Sequence, residues 1–234
     1  MKKLKIGIVI ADDMEYAPFF KMGGTDKSYF GRAGHTFSFE KGDKQIEVRS
    51  VYCGIGKVNA AAAAMHLIDE GYGILMNAGL SGGISGVARG ELVIGSRFLE
   101  HDFDLTPLGI EKGVKPGQDY IYEADAALVE FFSAFLGVKS GTMVTGDCFV
   151  SDSLLKAELI EKYSASACDM ETAAIASVCH ITGVPFFSVR RISDDAGDSA
   201  SSAYREMNEN ENFDLAELLL RGIKAMLDCD KFFC

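Results

Sequence analysis

The chain lacks any run of the roughly 20 consecutive apolar residues that a membrane span requires. It also lacks a recognisable secretory signal. Met1-Lys-Lys-Leu-Lys leads into a short apolar run, Ile6 to Ala11, which Asp12-Asp13 breaks with no small-residue cleavage site. Positive charge is scarce: 23 Lys and Arg stand against 34 Asp and Glu, a formal charge of −11, and no Lys/Arg block gathers the cations. Such a balance repels a phosphate backbone, so no nucleic-acid partner is expected. The six cysteines (Cys53, Cys148, Cys168, Cys179, Cys229, Cys234) form no Cys-x-x-Cys pair and sit mostly in apolar segments, which reads as reduced, buried thiols. No Pro- or Ser-rich linker, repeat or low-complexity tract divides the 234 residues. The expectation is a single domain over 1–234, cytoplasmic and without a membrane partner. Apolar residues at 48% and charged residues at 24% exclude a disordered chain.

What is present alternates between strand and helix patterns. Leu4 to Ile10 is a continuous β-branched run, suited to a strand buried on both faces. Thr36–Phe39 and Ile46–Tyr52 flank a hairpin turn at Lys41-Gly-Asp-Lys44. Val58 to Glu70 predicts an alanine-rich helix stopped by Gly71. Strands follow at Gly73–Asn77, Glu91–Phe98, Lys139–Thr145 and Phe186–Ile192, with helices at Ala124–Phe135, Met170–Thr182 and Phe213–Leu227 and a polar loop over Asp194–Tyr204. The pattern predicts an α/β fold: a single-domain, three-layer α/β/α arrangement around a central mixed sheet. Ligands of such sheets lie beyond the carboxyl ends of the strands.

The strand exits therefore deserve the search. They carry Asp12, Asp13 and Glu15; Gly54-Ile-Gly56; Asn77-Ala-Gly-Leu-Ser-Gly-Gly83; and Ser193-Asp194-Asp195, with Glu171 near the start of a helix. Gly54-Ile-Gly56 allows backbone to approach an oxygen-rich ligand at a helix N-terminus, although Asn59 takes the place of a third glycine. Gly79-Leu-Ser81-Gly-Gly83 matches a nucleophile elbow in letters only. That elbow needs a helix after its serine, and Ile84-Ser-Gly-Val-Ala-Arg-Gly90 is too glycine-rich to start one, so the segment is read as a close-packed turn. His35, His66, His101 and His180 fall in no zinc spacing, so no metal or other cofactor is expected.

Each carboxylate alone has an ordinary structural reading as a cap or a helix-dipole partner. Together, Glu15, Glu171 and Asp194 would meet at one end of one sheet. Carboxylates converging on an apolar cleft suit a reaction through a cationic sugar transition state. One acid, its pKa raised by burial, protonates the leaving group while another activates water or stabilises positive charge. Spacing does not say which is which.

Cys53-Gly-Ile-Gly-Lys-Val58, His101-Asp102, Thr145-Gly-Asp-Cys-Phe149, Asp169-Met-Glu-Thr172 and Arg190-Arg-Ile-Ser-Asp194 occur in this order along the chain. In these motifs the sequence resembles the purine nucleoside phosphorylase and nucleosidase superfamily, in particular the bacterial 5′-methylthioadenosine/S-adenosylhomocysteine nucleosidases of methionine salvage. The resemblance runs from Lys5 through the C-terminal helix. It implies an N-glycosidase that releases adenine from a small-molecule nucleoside. Asp194 would protonate N7, Glu15 would activate water, and Glu171 would hold the ribose above Met170. Phe149 would stack on the base, the Val150 backbone would read its edge, Ile55 would touch the 5′-thio side, and Ser193 and Leu80 would complete the binding set. The resemblance further implies a homodimer, with His101 to Pro107 reaching the partner's pocket.

The chain departs from the nucleosidase pattern at Asn77-Ala-Gly-Leu80-Ser81-Gly, where Leu80 replaces a hydroxyl and Ser81 is displaced by one residue. Arg191 replaces a small residue, and Asp12-Asp13 replace the usual first-loop residues. Three alternatives follow. A phosphorolytic nucleoside phosphorylase would need a cationic phosphate cradle, but Asn77 stands where such relatives carry arginine. A nucleoside-binding protein with lost catalysis would not need both Glu15 and Asp194. A serine hydrolase would act through Ser81.

Overall fold

The computed structural model describes residues 1–210 and 215–233. At its centre, β1 (Lys2–Ile10) runs parallel to β4 (Lys44–Tyr52) and to β5 (Ile74–Gly83). The hairpin expected at Lys41–Lys44 joins β4 to the antiparallel β3 (Gly34–Lys41), with Gly42 at φ 60° in the turn; β2 (Thr25–Asp26) closes that edge. On its other side β5 pairs in parallel with β10 (Phe186–Asp194), which is antiparallel to β6 (Leu92–Glu100). Then β8 (Ser140–Thr145) and β9 (Ala165–Asp169) follow in parallel, and β9 returns antiparallel to β5 at Gly82 and Gly83. The circuit β5–β10–β6–β8–β9 thus closes on itself. A short β7 (Ile121–Glu123) flanks β6.

The period-two alternation of a strand sends neighbouring side chains of β1 into different layers. Ile6, Ile8 and Ile10 join one core with Tyr16 and Phe19 of α1 (Asp13–Lys21), Leu128 and Phe132 of α3 (Ala126–Leu136) and Leu219 and Ile223 of α7 (Leu215–Ala225). Val9 joins a second core with Ala60, Ala63 and Ala64 of α2 (Lys57–Asp69) and Ala173 and Ala176 of α5 (Thr172–Thr182). Two cores on the two faces of one mixed sheet give the three-layer α/β/α arrangement expected. Small residues let α2 and α5 approach closely. At Gly7 an added Cβ would stand 2.6 Å from Leu75 Cδ2, so β1 too relies on a missing side chain beneath α2.

Several elements depart from the sequence reading. The glycine-rich segment 79–83 is not a turn: it is the second half of β5. Asp194–Tyr204 is not wholly a loop, because α6 (Ala200–Asn210) begins inside it. Neither α1, α4 (Ser153–Tyr163) nor β9 was expected. Of the predicted Phe213–Leu227 helix, Phe213 lies outside the described residues and α7 gives way to a 3-10 turn at Met226. Cys148 is exposed rather than buried, Cys229 is half-buried, and Cys234 lies outside the described residues. No helix among the described residues is long and apolar enough to cross a membrane.

Candidate active site

The exits of β1, β5, β9 and β10 open on one cavity of about 330 Å³. The residues to which the resemblance gives a role line it: Glu15, Ile55, Leu80, Phe149, Val150, Met170, Glu171, Ser193 and Asp194, whereas Asp13, Asn77 and Asp195 do not. Asp12, Cys148, Asp169 and Tyr204 line it as well.

Glu15 stands on the first turn of α1. Asp12 caps that helix by accepting from the Met14 N–H at 2.8 Å, and its own N–H donates to Glu15 Oε2 at 3.3 Å, so a capping box fixes the carboxylate. The Leu80 N–H donates to Glu15 Oε1 at 2.6 Å. Leu80 therefore serves the site through its backbone, whatever its side chain has lost. Glu171 is the N-cap residue of α5, which begins at Thr172 rather than at the predicted Met170, and its side chain does not cap. Instead its Oε1 accepts from the Gly56 N–H at 3.0 Å, at the N-terminus of α2. Gly56 has φ 99°, a conformation that favours glycine. Asp194 ends β10; its Oδ2 accepts from Ser193 Oγ at 2.7 Å and its Oδ1 from the Ala196 N–H at 2.8 Å.

Between the first two carboxylates lies Arg190, whose role the sequence left unstated. It is 1% exposed and donates from Nη2 to Asp169 Oδ2 at 2.9 Å and Thr172 Oγ1 at 3.0 Å, with Glu171 Oε2 at 3.4 Å. Its Nη1 donates to the Leu80 carbonyl at 3.2 Å. A charged residue inside the apolar run Phe186–Ile192 was the signal that could have found it. Tyr204, on α6, meets the Phe149 ring edge-on at 5.6 Å between centroids; nothing in a polar segment announced it.

Burial governs the acids. It lifts Glu15 to about 8, outweighing the charge of Arg190 and the Leu80 N–H. It also raises Glu171, against Arg190 and with the help of Asp169. Asp194 is raised by burial too, opposed by its bonds from Ser193 and Ala196. Burial thus favours the protonated form of all three, and Glu15, at about 8, holds its proton at neutral pH. Opposite them, Phe149, Val150, Ile55 and Met170 present apolar surface. Such a site can hold a flat, uncharged ring and a sugar, deliver a proton and stabilise developing positive charge.

The loops are laced behind this wall. Lys57 Nζ bonds Asp102 Oδ1 at 2.7 Å and Glu100 Oε2 at 2.8 Å, and Asp102 Oδ2 accepts from the Asp147 N–H at 2.8 Å. These bonds tie the exit of β6, the start of α2 and the Phe149 loop together. Ser81 Oγ is buried with no hydrogen-bond partner, and β5 continues past it without a helix, so no elbow or base serves that serine. Among the described residues no cluster of His, Cys, Asp or Glu could hold a metal ion.

The model of one family, the phosphorylase superfamily, matches residues 5–224. The chain belongs to that superfamily. Within it, the similarity is to nucleosidases. The 5′-methylthioadenosine/S-adenosylhomocysteine nucleosidase of Exiguobacterium sp. is 34% identical over 82% of this chain and 85% of its own. That of Shewanella piezotolerans is 35% identical over 95% of this chain and the whole of its own. The solved S-adenosylhomocysteine nucleosidase of Streptococcus pyogenes, in complex with 5-methylthiotubericidin, matches with a TM-score of 0.86 and 28% identity over 96% of this chain and 98% of its own.

Proposed function

We propose that the protein is an N-glycosidase that hydrolyses 5′-methylthioadenosine and S-adenosylhomocysteine, releasing adenine and the thioribose. The observation that carries this is the meeting of Glu15, Glu171 and Asp194, from three separate strand exits, on one apolar-walled cavity. Asp194 delivers its proton to N7 of the adenine as the glycosidic bond lengthens, and Ser193 and Ala196 hold its oxygens in place. The sugar becomes cationic; Glu171 holds the ribose, and Glu15, in the ionised form that it reaches around pH 8, supplies negative charge beside it. That ionised Glu15 then takes the proton of the water that adds to the anomeric carbon. Met170 supports the sugar, Phe149 and Val150 the base, and Ile55 the 5′ side, with Leu80 fixing Glu15 through its N–H.

Hydrolysis is favoured over phosphorolysis because no lysine or arginine lines the described cavity, and Arg190 beneath it already serves Asp169, Thr172 and Leu80. Phosphate would meet carboxylates instead of a cradle. A single domain carries this activity, in the cytoplasm and as a homodimer. Ile55, which lines the cavity, and Val58, on the first turn of α2, are 53% and 81% exposed and suit cover by a second copy.

The test is release of free adenine from 5′-methylthioadenosine in phosphate-free buffer, with Asp194→Asn alongside. Steady release, unchanged by added phosphate and reduced at least about 100-fold in the variant, is expected. Absence of release, or a requirement for phosphate, would sink the reading.

A further inference from the structure

A second cavity, of about 220 Å³, shares no lining residue with the first. Its walls come from β6, β7, the segment 111–114 and the end of α4. Three cations stand in them, Arg97, Lys112 and Lys162, with one carboxylate, Glu111. That gathering runs against the composition of a chain whose formal charge is −11. Each cation has an acid nearby, but none is firmly engaged. Arg97 Nε stands 3.9 Å from Glu123 Oε1, Lys112 Nζ 3.6 Å from Glu158 Oε1 and Lys162 Nζ 3.6 Å from Glu111 Oε1, all beyond hydrogen-bond reach. In every pair the acid is the more exposed side chain, at 71%, 44% and 69% against 45%, 27% and 21% for the cations. Exposed pairs of this kind contribute little and are readily given up.

The cavity is also built in advance. Tyr163 Oη donates to the Lys112 carbonyl at 3.0 Å and the Gly113 N–H to the Phe103 carbonyl at 2.7 Å, so the segment 111–114 is pinned against α4. Gly113 has φ +88°, and a Cβ there would stand 2.7 Å from Tyr163 Oη. Burial, with the charges of Glu158, Glu111 and Asp104, pushes the Tyr163 hydroxyl up to about 12, so it keeps its proton and its bond. At the end of α4 the Ser164 N–H takes up the Leu159 and Ile160 carbonyls, and Lys162 stands on the last turn. The negative end of that helix is thereby partly answered from within.

We infer that this second cavity binds a small phosphate-bearing anion, held by the Arg97 guanidinium and the Lys112 and Lys162 ammonium groups while Glu111 turns out into solvent. A phosphate group accepts several charge-assisted hydrogen bonds at once, which three separate, long ion pairs do not provide. The guanidinium offers two parallel N–H donors and the lysines compact, mobile charges, so the set suits an anion with more than one ionised oxygen. The inference goes beyond the nucleosidase reading, since it requires neither a nucleoside nor turnover.

Calorimetry on the full chain tests this, with inorganic pyrophosphate as the probe in magnesium-free buffer of low ionic strength. One saturable site of sub-millimolar Kd is expected. Arg97→Met and Lys162→Met should each weaken it at least tenfold, and 0.5 M sodium chloride should weaken it in the parent. Lys139→Met, which removes an exposed charge outside the cavity, should leave it unchanged. Saturating 5′-methylthioadenosine should also leave it unchanged, because the first cavity shares none of these residues. Where a methionine variant does not fold, the glutamine variant at the same position takes its place. Absence of saturable binding, an affinity that both substitutions leave within twofold, or displacement of pyrophosphate by the nucleoside overturns the inference. Adenine release by the unsubstituted protein judges the hydrolytic reading separately.

Discussion

A carboxylate lifted to about 8 costs the fold something whenever it must ionise. In the unfolded chain Glu15 gives up its proton near the usual 4.5, but in the folded chain it keeps it to about 8. Between those values the folded state binds more protons, so the contribution of Glu15 to stability declines as pH rises. Glu15→Gln removes the titration and keeps the shape. Thermal unfolding should therefore show the variant gaining on the parent by roughly 8 °C or more between pH 5 and pH 8.5, although adenine release is lost. A gap that stays constant with pH would place the proton elsewhere. Glu15, Glu171 and Asp194 were legible in the sequence because, although each alone reads as a cap or a helix-dipole partner, all three fall at the same end of one sheet. Arg190 and Tyr204 were not assigned, since their importance arises only when β10 and α6 are placed over the cavity.

Among the elements, β5 taught most. A run of glycines reads as a turn, yet here it is a strand crowded from both sides. A Cβ on Gly79 would fall 2.6 Å from Arg190 Nη1 and from both Glu15 carboxylate oxygens, and one on Gly82 would fall 2.9 Å from Cys168 Sγ. Sequence does not distinguish a glycine that bends the chain from one that clears space. Gly79→Ala should lower kcat at least tenfold while the far-ultraviolet circular dichroism stays that of the parent, because the two charged groups must shift and the strand need not. Unchanged kcat would mean that the floor tolerates the displacement. The remaining misses have local causes. α1 carries Pro18 in its interior, which disguises a helix that its capping box announces. β9 is Ala-Ser-Ala-Cys-Asp, without β-branched residues, and only its neighbours β8 and β5 make it a strand. The continuous apolar strands and the alanine-rich α2, by contrast, follow from pattern alone.

At the scale of the whole molecule, the proposed homodimer predicts that exposed apolar side chains such as Ile55 and Val58 are covered by a second copy. Sedimentation equilibrium at micromolar concentration should return twice the mass of 25.3 kDa, and Val58→Glu should shift it toward the monomer while reducing adenine release. A strictly monomeric parent would remove the dimer from the account.

The closed circuit of strands also imposes an order in time. Glu15 is made early in synthesis, but the strand that joins β5 to β6 and carries Asp194 is β10, the last one in the chain. A chain that stops short of β10 carries Glu15 but lacks Asp194 and the strand that closes the circuit. Contacts between segments so distant along the chain form slowly. Under the proposed mechanism, activity begins only when the ring shuts.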